Sequence, residues 1–475
     1  MKLYKGLRRL RFEAYFASMP LHAWMLRGRK TRSAYIHLKE SESYSKAQIN
    51  ELQLSKLQKI IEHAYTTSNF YRTRMDQLGI HPNDINGLED LSKFPFLSKD
   101  DVRENLDTGL ISTKISPKRM LRINTSGSTG RPFTIYADQE QLEVRFASTL
   151  RALEWTGWKF GDRQARLWHQ TLGMSRSQVM RERVDAWFMK RLFIPAFEIS
   201  PNNIENFVNK IRDHNPVLVD GYAESLNFLA TYVQSGQVAR FSPTAIMSSA
   251  QALPQNTRGI IESGFNTKVF DKYGSREFSG IAYECSAHNG HHVVDECYIV
   301  ELLVDGRPAK PGEVGEVVIT DLYNQATPMI RYRIGDLAVA FDENEPCPCG
   351  LSHSRIGDIE GRTQAIIHCA NGSWLPGTFF AHFFKDYEST IRFFQIEQNQ
   401  KGKFLLKIVK NNEFNENDMS SILKSLQHYV GDTEIEVEYV QEIPLVKTGK
   451  RSPVVSTIGE DFQDLEAAHQ IRKPS

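Results

Sequence analysis

Between residues 42 and 82, apolar side chains recur at three- and four-residue steps. Ile49, Leu52, Leu54, Leu57, Ile60, Ile61 and Ala64 mark one face, which predicts helix across that span. Ser98 precedes Lys99-Asp100-Asp101 and is the expected N-cap of the next helix. A helical period returns at 139–155. Short apolar runs then alternate with helical stretches: strands over 163–170, 216–222, 244–249 and 267–271, and helices near 201–213 and 223–234. Such alternation predicts a parallel α/β sheet with ligands at the carboxyl ends of its strands. After Ser279 the pattern becomes strand-rich with short turns (293–304, 315–322), which reads as a small β subdomain over about 280–355. Residues 361–475 differ again, with strands at 393–397, 403–409 and 433–440 around a helix at 419–429. The expected fold class is therefore α/β. A large N-terminal domain, 1–360, opens with a helical layer and carries parallel α/β sheets and the β subdomain. A small, mobile α+β domain, 361–475, follows a boundary near Gly361-Arg362.

Composition narrows the function classes. At 475 residues the chain can bury a large core. Its formal net charge of +1 provides no global field for nucleic acid. Five unevenly spaced cysteines make no disulfide framework, and a reducing, cytoplasmic setting is expected. No apolar run reaches transmembrane length. Lys2, Lys5, Arg8, Arg9 and Arg11 precede an apolar stretch, 14–26, broken by Pro20 and His22. Two readings stand for it: an amphipathic helix packed on the domain, and an interfacial helix making peripheral contact with anionic membrane.

Candidate chemistry begins at Thr125, Ser126, Gly127, Ser128, Thr129 and Gly130, set between the extended segments 120–123 and 133–136. The two glycines permit positive φ and close backbone approach, and the hydroxyls add donors. A loop of this kind suits an anion with several oxygens, above all a polyphosphate. No Lys-Ser/Thr follows Gly130, so it is not a Walker loop. Taken alone, it is equally an ordinary hairpin loop. A second cluster is Cys347-Pro348-Cys349, with Cys285, His288, His291 and His292 upstream. Cys285, Cys347 and Cys349 with one of these histidines would make a closed tetrahedral zinc site. Cys297 and Cys369 read as buried thiols.

Three further segments follow the glycine loop: Tyr273-Gly274-Ser275-Arg276-Glu277, Tyr332-Arg333-Ile334-Gly335-Asp336-Leu337 and Thr448-Gly449-Lys450. In this order the four resemble the motifs of the adenylate-forming superfamily, which includes acyl-CoA synthetases, adenylation domains and luciferases. The opening around Tyr71-Arg72 and 91–101 resembles the phenylacetate–CoA ligase-like branch, especially its capsular-polysaccharide-synthesis members. Ser275-Arg276 before Glu277, and the cysteine and histidine segments, resemble that branch too, and the resemblance implies His292 as the zinc-binding histidine, with His288 and His291 as alternatives.

The resemblance implies ATP-dependent activation of a small carboxylate as acyl-AMP with release of pyrophosphate. It then implies transfer to an acceptor, usually the thiol of coenzyme A. A sugar amine or hydroxyl, or a carrier, is an alternative acceptor, and a non-catalytic nucleotide-binding scaffold is a second alternative. By the same resemblance, residues 125–130 hold phosphates and Glu277 coordinates magnesium as part of the catalytic set. Ala250, Gln251, Tyr273, Gly274 and Ser275 bind nucleotide, Asp336 takes both ribose hydroxyls, and Arg362 lies beside the hinge. Gln364 stands where the family hinge usually carries aspartate. Lys450, in Pro444-Leu445-Val446-Lys447-Thr448-Gly449-Lys450, is the catalytic lysine that bridges carboxylate and α-phosphate. His169, Tyr222 and Ser249, at predicted strand ends, are acyl-pocket candidates.

Overall fold

The structure is a computed structural model. It describes residues 2–22, 30–125, 133–168, 176–200, 202–251, 253–342, 344–360, 366–371, 374–384, 387, 390–411, 413–443, 453–456 and 458.

The helical layer comprises α1 (Lys2–His22), α2 (Thr31–Glu40), α3 (Lys46–Thr67), α4 (Asn69–Leu78) and α5 (Lys99–Asn105). The single helix expected over 42–82 is in fact two. The chain turns extended at Ser68, whose hydroxyl donates to the Gly109 carbonyl and accepts from the Tyr71 N–H. A side chain that offers the backbone a second partner ends the helix there. Ser98 caps α5 as expected, accepting from the Asp101 N–H at 3.0 Å while its own N–H donates to Asp101 at 2.8 Å. In α1, Tyr15, Phe16 and Met19 are buried, while Leu7, Leu10 and Leu21 are exposed. No described helix is long and apolar enough to cross a membrane.

Next come β1 (Met120–Thr125) and β2 (Phe133–Asp138), which pair antiparallel from Met120↔Asp138 to Thr125↔Phe133. The two segments flanking the glycine loop therefore form the expected hairpin. The α/β portion follows: α6 (Gln139–Trp155), β3 (Gln164–Trp168), α7 (Arg176–Met189), β4 (Arg191–Pro195), α8 (Ile204–His214), β5 (Leu218–Tyr222), α9 (Ala223–Gln234), β6 (Ala245–Ser249), α10 (Gln255–Phe265) and β7 (Val269–Ser275). Antiparallel strands continue it: β8 (Ser279–Glu284), β9 (His291–Val293), β10 (Tyr298–Val304), β11 (Arg307–Pro308), β12 (Val314–Asp321), β13 (Tyr332–Ala340) and β14 (Arg355–Glu360).

Apart from the hairpin, these strands form one twelve-stranded sheet in the order β11-β10-β12-β13-β14-β9-β8-β7-β6-β5-β3-β4. The run from β7 to β4 is parallel, as the alternation of strand and helix predicts. The strands read as a β subdomain extend that same sheet, because β8 folds back on β7 through Lys272↔Tyr283 and Ser275↔Ser279. One apolar core joins α1, α3, α6 and the antiparallel strands, and a second lies under α8, α9 and α10. Fully burying one such side chain is worth about 1.5–3 kcal/mol.

The C-terminal elements are β15 (Ile366–His368), β16 (Trp374–Pro376), α11 (Gly377–Phe384), β17 (Ile391–Gln400), β18 (Lys403–Lys410), α12 (Glu416–Val430), β19 (Glu434–Tyr439) and β20 (Val454–Ser456). A four-stranded sheet, β19-β18-β17-β20, carries its own core under α11 and α12.

Candidate active site

Strand ends build the site. Tyr273 and Ser275 close β7, and the chain reverses through Arg276 and Glu277 into β8. Gly274 is required at that reversal, because a Cβ there would stand 2.1 Å from the Ser279 carbonyl oxygen. Ser275 Oγ accepts from the Phe278 N–H at 3.2 Å and fixes the turn, and Glu277 is buried within it. Asp336 lies within β13, where Ile334, Gly335 and Asp336 bulge opposite Val317, between Glu316↔Leu337 and Val318↔Arg333. Gly335 takes φ +85° at this bulge. Bulges re-aim side chains, and here the bulge brings Asp336 to Tyr273. The phenol donates to Asp336 Oδ2 at 3.0 Å across a separation of 63 residues.

On the neighbouring strand end, Ala250 adopts φ +70°, a left-handed conformation uncommon for a residue with a Cβ. Gln251 then turns back toward α9, and its Oε1 accepts from the Glu224 N–H at 3.2 Å. Glu224 is a residue that sequence reading missed. Burial pushes its carboxyl up to about 7, against an opposing pull from the Gln251 amide. Glu224 Oε2 and Gln251 Nε2 have no hydrogen-bond partner among the described residues.

Of the acyl-pocket candidates, Tyr222 stacks on Trp168 with ring centroids 4.5 Å apart at 6°. Phe197 stacks on the Tyr222 ring and meets Phe379 of α11 edge-on at 5.3 Å, so an aromatic column joins the sheet to the C-terminal core. Ser249 pairs with Tyr222 on one side and Lys272 on the other. His169, Ser126 to Gly130, Arg362, Gln364 and Lys450 lie outside the described residues. Thr125 ends β1 at the loop.

The cysteine cluster is close-packed. The ligand atoms of Cys285, His292, Cys347 and Cys349 lie within 4.8 Å of one another. Cys285 Sγ is 3.6 Å from Cys347 Sγ, and Cys349 Sγ is 3.3 Å from His292 Nε2. Zinc–ligand bonds of about 2.0–2.3 Å set tetrahedral ligand edges of roughly 3.3–3.8 Å, so the donor set fits zinc. His292 Nδ1 lies 3.3 Å from the His353 carbonyl. With the hydrogen on Nδ1, Nε2 turns a lone pair toward the three sulfurs. Burial pushes the Cys285 thiol up to about 12 and His292 down to about 3, and a bound cation would reverse the first effect. The alternative histidines are engaged elsewhere: His288 with Glu284 at 3.2 Å, and His291 with Asp271 at 3.1 Å.

Behind the cluster lies a second feature that sequence reading missed. Glu296, fully buried, takes both guanidinium nitrogens of Arg151 at 3.0 and 3.2 Å and His353 Nε2 at 2.8 Å. The Ser41 hydroxyl also donates to it. Burial opposes its charge, yet Arg151 and His353 hold its carboxyl well below the usual range.

The comparisons with known proteins agree with this geometry. Residues 367–457 match the model of the CapK C-terminal domain. The chain is 26% identical over 339 residues to a phenylacetate–coenzyme A ligase of Thermus thermophilus, covering 69% of this chain and 73% of that one. It is 22% identical over 422 residues to protein CapK of Staphylococcus aureus, covering 86% and 89%. Among solved structures, 2-hydroxyisobutyryl-CoA ligase with its adenylate and CoA in the thioesterification state superposes with a TM-score of 0.61 at 18% identity, covering 91% and 94%. The fold and the sequence relatives thus mark the chain as an ATP-dependent, adenylate-forming ligase. Its sequence is similar to the phenylacetate–CoA ligase-like branch, CapK included.

Proposed function

We propose that this chain activates a small carboxylic acid with ATP and passes the acyl group to coenzyme A. The observation that carries this reading is the Tyr273–Asp336 hydrogen bond, which joins two of the motifs at one strand end. In the first step a carboxylate oxygen attacks the α-phosphorus of ATP. The bond to the β-phosphate bridging oxygen breaks, and acyl-AMP and pyrophosphate form. Both reactants are anions, so the site must neutralise charge and hold them in line.

Residues 125–130 would cradle the leaving phosphates, Arg362 beside the hinge would bind nucleotide, and Glu277 would hold magnesium, a cation that prefers carboxylate and phosphate oxygens. Asp336 would accept both ribose hydroxyls. Tyr273, Gly274, Ser275, Ala250 and Gln251 would border the base. Lys450 would carry positive charge to the α-phosphate from a C-terminal domain, 361–475, that turns about the Gln364 region. In the second step the sulfur of coenzyme A bonds the acyl carbon, the acyl–phosphate oxygen bond breaks, and AMP and a proton leave. Cys285, His292, Cys347 and Cys349 would hold a structural zinc ion that fastens β14, β9 and the end of β8.

The similarity to CapK keeps a second reading of the acceptor beside the first: a sugar amine or hydroxyl, or a carrier. The decisive experiment measures pyrophosphate release from ATP across a panel of carboxylates, with and without coenzyme A. Release that depends on a carboxylate is expected. Thiol-dependent product then separates the two acceptors, and no release with any acid would leave only a nucleotide-binding scaffold.

A further inference from the structure

Two neighbouring helices turn apolar side chains outward. On α1, Leu7, Leu10, Ala14, Ala17 and Leu21 are all exposed. They follow one another at steps of three and four residues, so they form one stripe along the helix. The other side of α1 is the packed one, with Tyr15, Phe16 and Met19 buried. On α7, the exposed Arg176, Met180, Arg183 and Trp187 likewise share a face, and Asp185 and Met189 are buried on the opposite one.

The two helices are joined. Tyr15 Oη donates to Asp185 Oδ1 at 2.8 Å. The Arg11 guanidinium donates to the Phe188 carbonyl and lies over the Trp187 ring at 5.0 Å. Leu7 stands one turn before Arg11, so the α1 stripe borders that ring. Of the nine large apolar side chains exposed among the described residues, five belong to this pair: Leu7, Leu10, Leu21, Met180 and Trp187. Single exposed apolar residues are ordinary, whereas a contiguous group marks an interaction site.

The charges around the face select its occupant. Arg176 and Arg183 lie within the α7 stripe, and Arg9 is exposed on α1. Among the described residues none of the three is held by a hydrogen bond or an ion pair. The acids of the two helices are engaged elsewhere. Glu13 takes two guanidinium nitrogens of Arg32 at 2.8 Å each, and Asp185 is buried against Tyr15. Glu182 stands on the Met189 side of α7 and acts on Arg191. A second copy of this chain would set one arginine-bearing face against another with no acid to pair, which disfavours self-association. An anionic lipid surface suits both parts of the face. It takes leucine, methionine and tryptophan into the boundary between headgroups and acyl chains, and its phosphates attract arginine.

We infer that α1 and α7 together form a peripheral docking face for an anionic membrane leaflet, with both helices lying in the plane of the interface. One side of α1 packs on the domain, and the inference concerns the other. It stands independently of the adenylation reading.

The test is co-sedimentation of the full chain with vesicles of phosphatidylcholine alone, and of phosphatidylcholine mixed with phosphatidylserine. Binding to the mixed vesicles that weakens as salt is raised is expected, with little binding to the neutral ones. A basic residue at an anionic surface is worth roughly a fivefold change, so Arg176→Glu combined with Arg183→Glu should lower partitioning about tenfold or more. Leu10→Ser combined with Trp187→Ser should lower it by a similar factor. All four positions are exposed, so the thermal midpoint should hold in both variants and serves as the folding control. No binding to either vesicle, equal binding to both, or undiminished binding in the two variants would overturn the inference. So would a dimer in sedimentation equilibrium that Leu10→Ser with Trp187→Ser dissolves, since the face would then belong to a second copy.

Discussion

Tyr273 donates its phenolic hydrogen to Asp336 across two strands that are not neighbours in the sheet. The bond orients the carboxylate that the nucleotide reading assigns to the ribose. Charge-assisted hydrogen bonds are worth about 1.5–3 kcal/mol each, so Asp336→Ala should weaken ATP binding tens-fold or more. Binding of 2′,3′-dideoxy-ATP should fall much less, because that analogue lacks the partner hydroxyls. Calorimetry on folded mutant protein decides it, and equal losses for both nucleotides would make Asp336 structural.

Lys450 follows from its Thr-Gly-Lys context near the C-terminus. Lys450→Ala should nearly abolish pyrophosphate release and leave ATP binding and transfer from preformed acyl-AMP largely intact. The contrast between the half-reactions is the readout, and undiminished release in the mutant would remove the assigned role.

For the cysteine cluster, elemental analysis of protein prepared without chelator should find about one equivalent of zinc. Cys349→Ser should lower the metal content and the thermal midpoint together. Protein that carries no metal, or a variant that keeps its full complement, would refute the zinc reading.

Glu224 gives a pH dependence with a definite sign. Its carboxyl is raised from 4.5 to about 7, so the folded state binds the proton more tightly than the unfolded chain. The stability this provides is complete below pH 4.5 and declines as pH rises toward about 7. Glu224→Gln removes the titration, so denaturant melts should show it gaining about 2–3 kcal/mol relative to the parent between pH 4.5 and pH 8. A difference that is flat with pH would show that Glu224 does not titrate in this window.

The elements visible in the sequence are those whose determinants are local. The periods of α6 and α9, the Ser98 cap, the hairpin around the glycine loop and the Cys347-Pro348-Cys349 pair each lie within one short segment. What escaped sequence reading depends on pairings at long range. Arg151 and Glu296 are 145 positions apart, and neither residue announces its partner. Ser68 breaks a helical period because Gly109, 41 positions away, receives its hydroxyl. The strands after Ser279 have antiparallel texture, but only the Lys272↔Tyr283 pairing reveals that they join the parallel sheet.

Inside its β11 edge, the long sheet has one narrow seam. β14 meets β9 through Arg355↔His292 and Ile356↔His291 alone, whereas β10 meets β12 over six pairs. Under tension, such a seam is the line along which the sheet tears, with few rungs to share the strain. Tyr273 stands on one side of the line and Asp336 on the other. The ring of His292, itself one of the rungs, doubles as a rivet toward Cys349. Under the nucleotide reading, parting this seam would leave the Tyr273–Asp336 hydrogen bond as the bridge between the two residues assigned to the ligand.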